Sequence, residues 1–329
     1  MNILVTGGAG YIGSIVAAEC IRQGHTVIVL DNLVHGHKAA VPPEAIFVNV
    51  DLLNAASLKD VFHQMEVEAV MHLAAESIIS RAEVEPSSVF RQNVLAGINL
   101  LDVMRQHGTK RIVFSSSAAV YGQPSTMPIE EDHPTKPSNA YGDSKIMFES
   151  ILKRYEQAYG IKHVSLRYFN AAGATADRGE DHRPESHLIP NVLRSVQNRD
   201  QPLIIYGTDY PTRDGTCVRD YVHVYDIARA HLMALDSIES LSGSSYNLGT
   251  NTGYSILEVI EAAQLVTDQN IPYKTMCRRS GDAAMLVASN FFARRDLGWR
   301  PQYSEIHEII TSAWKWILAH PLGYDEGQY

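Results

Sequence analysis

Residues 3–13 read Ile-Leu-Val-Thr-Gly-Gly-Ala-Gly-Tyr-Ile-Gly, and Asp31 closes the next apolar run. Gly7, Gly10 and Gly13 therefore recur every third residue between a strand-like stretch and a helix-like one. In such a turn small residues let the backbone approach a pyrophosphate, and the N-terminus of the following helix offers oriented N–H groups to it. The spacing differs from the more common G-x-G-x-x-G, and a glycine triplet alone says little, so its context decides. Asp31 lies 18 residues after Gly13. A carboxylate there can accept hydrogen bonds from both adenosine ribose hydroxyls and repels a 2′-phosphate. The pattern predicts a dinucleotide site that takes NAD in preference to NADP.

The first half of the chain alternates strand and helix signals. Apolar runs at Asn2–Thr6, Thr26–Leu30, Ile46–Val50, Ala69–Leu73 and Arg111–Ser115 are separated by helical patterns near Tyr11–Gln23, Ser57–Met65 and Ser87–Gln106. Continuously apolar strands in βα alternation mean a parallel sheet covered on both faces, with ligands beyond the carboxyl ends of the strands. A long helix is predicted over Ala140–Tyr159 and a further strand over His163–Phe169. After Asn170 a polar loop, Ala171–Ser186, leads to short strands (Leu203–Tyr206, Ser245–Leu248, Tyr273–Met276) among helices (Leu188–Gln197, Val224–Leu235, Ile256–Thr267, Ser304–Ala319). The expected fold is an α/β, Rossmann-type doubly wound parallel sheet over residues 1–170. A smaller α/β substrate-binding lobe over 171–329 follows, some segments crossing between the two.

A chain of 329 residues can bury a large core. A formal charge of −9 gives no reason to expect nucleic acid or an anionic membrane as partner. Three well-separated cysteines argue against a disulfide framework and suit a reducing compartment. With no leader-like or spanning segment, a cytoplasmic location is expected. The fourteen histidines form no H-E-x-x-H run or close Cys/His cluster. His182 and His187 flank a polar stretch and could touch a metal, but the stretch reads as a solvated loop, and no metal is expected.

Tyr141 and Lys145 form a Y-x-x-x-K pair on one face of a predicted helix. An ammonium near a phenol favours the phenolate, which makes the tyrosine a usable proton acceptor. Such spacing is common by chance. Here an apolar strand ending in Ser115-Ser116-Ser117-Ala118-Ala119-Val120-Tyr121-Gly122 lies upstream, with Ser117 24 residues before Tyr141. A serine there can hydrogen-bond a substrate oxygen while the phenolate exchanges its proton. Ser117, Tyr141 and Lys145 are thus the candidate catalytic set.

The glycine turn, His72-Leu73-Ala74-Ala75, the Ser-Ser-Ser-x-x-Val-Tyr-Gly run, Tyr141/Lys145 and Arg167-Tyr168-Phe169-Asn170 resemble the extended short-chain dehydrogenase/reductases. Within them the chain is similar, almost end to end, to the UDP-hexose 4-epimerases. The most specific stretch is Asp209–Val224, Asp-Tyr-Pro-Thr-Arg-Asp-Gly-Thr-Cys-Val-Arg-Asp-Tyr-Val-His-Val, followed by Arg278-Arg279-Ser280-Gly281-Asp282. The resemblance implies one resident NAD. Tyr141 would take the proton of the sugar 4-hydroxyl, with Ser117 in the relay and Lys145 also on the nicotinamide ribose. The 4-keto sugar would turn over and be reduced on its opposite face, interconverting UDP-galactose and UDP-glucose.

By position, the resemblance places Asp31, Asn32, Asp51 and Leu52 at the adenosine end. Ala74, Asn93 and Tyr168 fall near the pyrophosphate or nicotinamide. Tyr11, Ile12, Leu73, Ala75 and Ser115 complete the expected cofactor contacts. For the UDP-sugar it implies Asn170, Arg219 and Arg279 at the phosphates, Tyr206 and Leu188 at the base, Asp282 at the ribose, and His187 nearby. A homodimer built on Ser87–Gln106 and the Tyr141 helix is implied as well.

Two positions depart from the family pattern. Ser77 stands where some members carry a lysine on the NAD phosphates, so weaker NAD retention is expected. Leu286 stands where members that exclude N-acetylated sugars carry tyrosine and those that accept them carry a small residue. UDP-N-acetylhexosamines and UDP-uronates therefore remain alternative substrates. A nucleotide-sugar 4,6-dehydratase is a weaker alternative, because such enzymes need carboxylates after the catalytic serine and Ala118-Ala119 stand there.

Overall fold

The apolar runs of the first half become parallel strands, and their residues sort by the pleat. In β1 (Asn2–Thr6), Ile3 and Val5 face one side and Leu4 the other. In β2 (Thr26–Asp31), Val27 and Val29 oppose Ile28 and Leu30 in the same way. Both faces are therefore buried, as a parallel sheet requires. The computed structural model describes residues 1–78, 83–197, 202–279 and 281–324. β3 (Ile46–Asn49), β4 (Ala69–His72), β5 (Arg111–Ser117) and β6 (Lys162–Tyr168) complete a row ordered β6-β5-β4-β1-β2-β3, all parallel. Helices Tyr11–Arg22 and Val224–Asp236 cover one face, and Ala55–Met65, Ala96–His107 and Ala140–Tyr159 the other.

Three more strands precede the next member of this sheet: β7 (Asn170–Ala172), β8 (Leu203–Tyr206) and β9 (Val218–His223). Then β10 (Ser244–Leu248) returns from the far side of the chain and pairs in parallel with β6. Its sequence signal is that of a second-lobe strand, but it lies in the first sheet. An exposed β6 edge would leave a row of unpaired backbone groups, and β10 covers it. Around β9 the second lobe forms a small sheet with β7, β11 (Gly253–Ser255) and β13 (Met285–Leu286), while β12 (Tyr273–Met276) pairs only with β8. Leu188–Gln197, Ile256–Thr267 and Ile306–Ala319 pack beside it around the buried Trp316.

The helix predicted over Ser87–Gln106 is not continuous. It runs as Pro86–Phe90, a π-turn at Arg91–Leu95, and Ala96–His107. The wider turn aims Asn93 inward, where its amide meets both the backbone of Glu76 and the hydroxyl of Ser144. Such single π-turns recur near functional sites.

The glycine turn is closed by direct backbone contact. A Cβ at Gly13 would lie 2.0 Å from the Gly7 carbonyl oxygen. Gly13→Ala is therefore expected to lower stability by about 1–3 kcal/mol and to remove dinucleotide binding. Thermal denaturation and the cofactor content of the purified protein measure both, and an unchanged variant would contradict this packing.

Candidate active site

The site is assembled at the carboxyl ends of β1, β2, β4, β5 and β6. Gly10 caps the helix Tyr11–Arg22 with extended backbone and no side-chain cap, so the first N–H groups point into the opening. Gly7 has φ +70°, and a Cβ there would stand 2.6 Å from the Ala74 amide nitrogen, so the β1 turn and the β4 loop touch. The cleft they border holds about 450 Å³. Its wall includes Gly7, Gly10, Tyr11, Ile12, Gly13, Asp31, Asn32, Asp51, Leu52, Leu73, Ala74, Ala75, Ser77, Ser115, Ser117, Tyr141, Lys145, Tyr168, Asn170 and His187.

Asp31 is nearly buried at the β2 end. One carboxylate oxygen accepts from the Ala9 amide at 3.0 Å and the other from Leu33 at 2.9 Å. Burial raises its pKa and these backbone donors oppose the rise. Asn32 donates to Asp51 at 3.0 Å, which ties the β2 and β3 ends into one rim.

The catalytic candidates meet on the other side. Asn139 caps the helix Ala140–Tyr159 by accepting from the Gly142 amide at 2.9 Å, which sets Tyr141 in the first turn. Ser117 ends β5, and its hydroxyl hydrogen-bonds Tyr141, an interaction that lowers the phenol pKa. Lys145 is buried; its ammonium donates to the Ser115 carbonyl at 2.8 Å and sits 5.5 Å from the Tyr141 ring centroid and 5.0 Å from that of Phe114. Desolvation brings its pKa down to about 7, and Glu149 works against that shift.

Burial raises the Tyr141 pKa overall, and the hydrogen bond with Ser117 opposes the rise.

Several residues have work not evident in the sequence. Asn93, expected at the cofactor, is buried behind the wall and joins the β4 loop to the catalytic helix through Glu76 and Ser144. Glu149 accepts from Ser116 at 2.6 Å and pairs with Arg167 at 2.7 Å. Arg167 also donates to Tyr121, whose hydroxyl donates to Asn247 on β10. Within the specific Asp209–Val224 stretch, Asp220 accepts from the backbone amides of Thr250, Asn251 and Ala288. His223 caps the helix Val224–Asp236 and meets Ser312 at 2.9 Å. These two are joints of the second lobe, and their short-range periodicity carries no sign of it.

The expected UDP-sugar residues divide. Asn170 and His187 face the cleft, and Asn170 also donates to the Asp220 carbonyl at 3.0 Å. Tyr206, Arg279 and Asp282 form a separate group outside the cleft wall, with the Arg279 guanidinium 5.0 Å from the Tyr206 ring centroid and 3.0 Å from Asp282. Ser280, in the same run, lies outside the described residues. Arg219 donates to the Val218 carbonyl, and Leu188 opens the helix Leu188–Gln197. The Ala171–Ser186 segment is not a purely solvated loop: Glu180, His182 and His187 place their ligand atoms within 4.8 Å of one another.

A Rossmann cleft with a serine, a tyrosine and a lysine at its inner end defines a dinucleotide-dependent enzyme of the reductase type. Residues 3–249 match the NAD dependent epimerase/dehydratase family, and the chain belongs to that family. It is 49 % identical to the UDP-glucose 4-epimerase of Streptococcus mutans serotype c, with 99 % of each chain covered. A crystal structure of a UDP-glucose 4-epimerase superposes with TM-score 0.96 at 42 % identity, covering 99 % of this chain and 100 % of the other. The Bifidobacterium longum UDP-glucose 4-epimerase, solved with NAD+ and UDP, superposes with TM-score 0.93 at 36 % identity over 98 % of this chain and all of its own.

The buried Lys145 has a measurable signature. A lysine whose pKa falls to about 7 in the fold binds fewer protons there than in the unfolded chain between that value and 10.5, so stability rises with pH across the window. Lys145→Met removes this dependence. Wild-type melting temperature should therefore gain on that of the variant as pH rises from 7 to 9, with activity lost in the variant throughout. Parallel melting curves would show that Lys145 is not desolvated in this way.

Proposed function

We infer that the protein interconverts UDP-galactose and UDP-glucose, the activity of a UDP-glucose 4-epimerase, with NAD as resident cofactor. The observation that carries this reading is the Ser117–Tyr141–Lys145 set opening onto a glycine-turn cleft with Asp31 at its far rim. The cradle fits the dinucleotide: Gly7 and Gly13 leave no room for a Cβ, and the helix N-terminus and the Asp31 carboxylate border the same opening. Bound there, NAD supplies a reversible hydride acceptor and a positive ring charge.

The chain's own residues handle the proton. Tyr141 accepts it from the sugar 4-hydroxyl and returns it after the 4-keto sugar has turned. Ser117 shares the hydrogen bond to the phenol oxygen and orients the sugar oxygen. Lys145 fixes the helix to β5 through the Ser115 carbonyl and offers its ammonium to the nicotinamide ribose. Asn170 stands at the phosphates of the nucleotide sugar. Arg219, Arg279, Tyr206 and Asp282 complete the uridine side from the second lobe. Ala118 and Ala119 supply no carboxylate after Ser117, which disfavours dehydration.

Two copies of the chain are proposed to pair through the helical stretch Ser87–Gln106 and the helix Ala140–Tyr159, where Leu95, Met147 and Tyr159 stand exposed. Among the described residues no helix is long and apolar enough to cross a membrane.

Tyr141→Phe keeps the packing and removes the acceptor. It should reduce kcat about 10²–10⁴-fold in a coupled assay that detects UDP-glucose formed from UDP-galactose. Wild-type protein inactive in that assay would sink the assignment. For the sugar range, Leu286 packs in the small cluster of Ala118, Val120, Tyr121 and Phe169 that continues from Ser117. Leu286→Tyr should abolish turnover of UDP-N-acetylgalactosamine and spare UDP-galactose. Equal retention of both activities rejects Leu286 as the gate.

A further inference from the structure

Eight residues after the small β7 sheet carry a run of alternating donors: Glu180-Asp181-His182-Arg183-Pro184-Glu185-Ser186-His187. We propose that Glu180, His182, Glu185 and His187 bind a divalent transition metal of the zinc class at the mouth of the nucleotide cleft.

The geometry is that of a ligand set drawn together. One Glu180 carboxylate oxygen is hydrogen-bonded to His182 Nδ1, and the other stands 3.7 Å from His187 Nδ1. His187 Nδ1 lies 2.8 Å from Glu185 Oε1, and the two imidazole centroids are 5.5 Å apart. Metal–ligand bonds of about 2.0–2.1 Å in a tetrahedron set neighbouring ligand atoms roughly 3.4 Å apart, and the spacings of 2.8 and 3.7 Å bracket that value. Two imidazoles with carboxylates form a donor set that suits zinc, and the oxygen-only preference of magnesium or calcium argues against those ions.

Charge and burial point the same way. The Glu185 side chain is 3 % exposed, and its Oε2 has no hydrogen-bond partner. Arg194 approaches that oxygen no closer than 3.9 Å. Glu180 is nearly buried, and among the described residues no lysine or arginine pairs with it; its only cationic partners are the two histidines. A buried carboxylate without a permanent counter-charge is costly, and a metal ion answers that need.

The segment is held from behind. The Gly179 amide donates to the Tyr324 hydroxyl at 3.0 Å, the Tyr324 amide to Asp181 at 3.0 Å, and His37 meets the Asp181 carbonyl at 2.9 Å. Such outer contacts pre-set ligand positions. On the front, Glu180, His182 and His187 line the cleft, where Lys145 is the sole lysine or arginine of the described wall. A metal here faces the opening and adds positive charge where diphosphates enter. That last consequence rests on the proposed function, whereas binding of the metal does not.

The test uses full-length protein purified without chelator or metal-affinity resin. Elemental analysis should find about one zinc per chain, and cobalt added to stripped protein should give the intense visible bands of a tetrahedral or five-coordinate site. His182→Ala and Glu180→Gln should each weaken zinc affinity at least about tenfold in competition with a chromogenic chelator. The Glu180→Gln change is nearly isosteric and guards against a variant that fails only in folding. Wild-type protein with neither zinc nor a cobalt spectrum overturns the proposal. So does zinc bound equally well by both variants, which would place it elsewhere. Because these readouts are independent of turnover, an inactive protein that binds zinc would fail the proposed function and leave the site standing.

Discussion

The catalytic end of this molecule depends on a lysine kept out of water. Lys145 reaches from the helix Ala140–Tyr159 to the end of β5, and its ammonium rests on a carbonyl and two ring faces, with no carboxylate of the described residues in direct contact. An ammonium in that position is expensive. It is tolerated because the surrounding frame is over-determined: Glu149, one turn further along the same helix, is clamped by Ser116 and Arg167. The helix and strand are thus stitched twice, once at the functional lysine and once by the buried ion pair beneath it. Ser117 and Tyr141 inherit their mutual distance from that double stitch.

The division of labour follows from it. The first lobe is rigid where chemistry and the dinucleotide demand it, with glycines in backbone-to-backbone contact and strand ends tied by Asp31, Asn32 and Asp51. The second half of the chain is anchored to the first through β10, the helix Val224–Asp236 and a shared apolar core, and Tyr11 donates to the Gly173 carbonyl at 2.5 Å. A firm floor whose strand ends open into the cleft suits an enzyme that must grip a nucleotide and leave the sugar room to turn.

Features set by local pattern were legible in the sequence: the order of the strands, the helix Ala140–Tyr159, the glycine turn with Asp31, and the Tyr141/Lys145 face. What was not legible depends on long-range partners. Nothing within ten residues of Asn93 announces a π-turn or a bond to Ser144. The run from Asp209 to Val224 reads as one motif, but Asp220 and His223 serve as joints. Glu180, His182, Glu185 and His187 looked like loop polarity because the contacts that gather them come from Tyr324 and His37, far away in the chain.

β10 carries a consequence for biosynthesis. The first sheet looks self-contained by residue 170, yet its β6 edge stays open until residues 244–248 arrive, and Asn247 then bonds Tyr121 and the Ile129 carbonyl. A nascent chain on the ribosome therefore holds an unfinished sheet, with its buried Arg167–Glu149 pair lacking one wall, while some eighty further residues are translated. Unpaired strand edges of this kind invite wrong partners. The two lobes must mature as a single cooperative unit, and a cell producing this chain depends on the second lobe emerging promptly to seal the first.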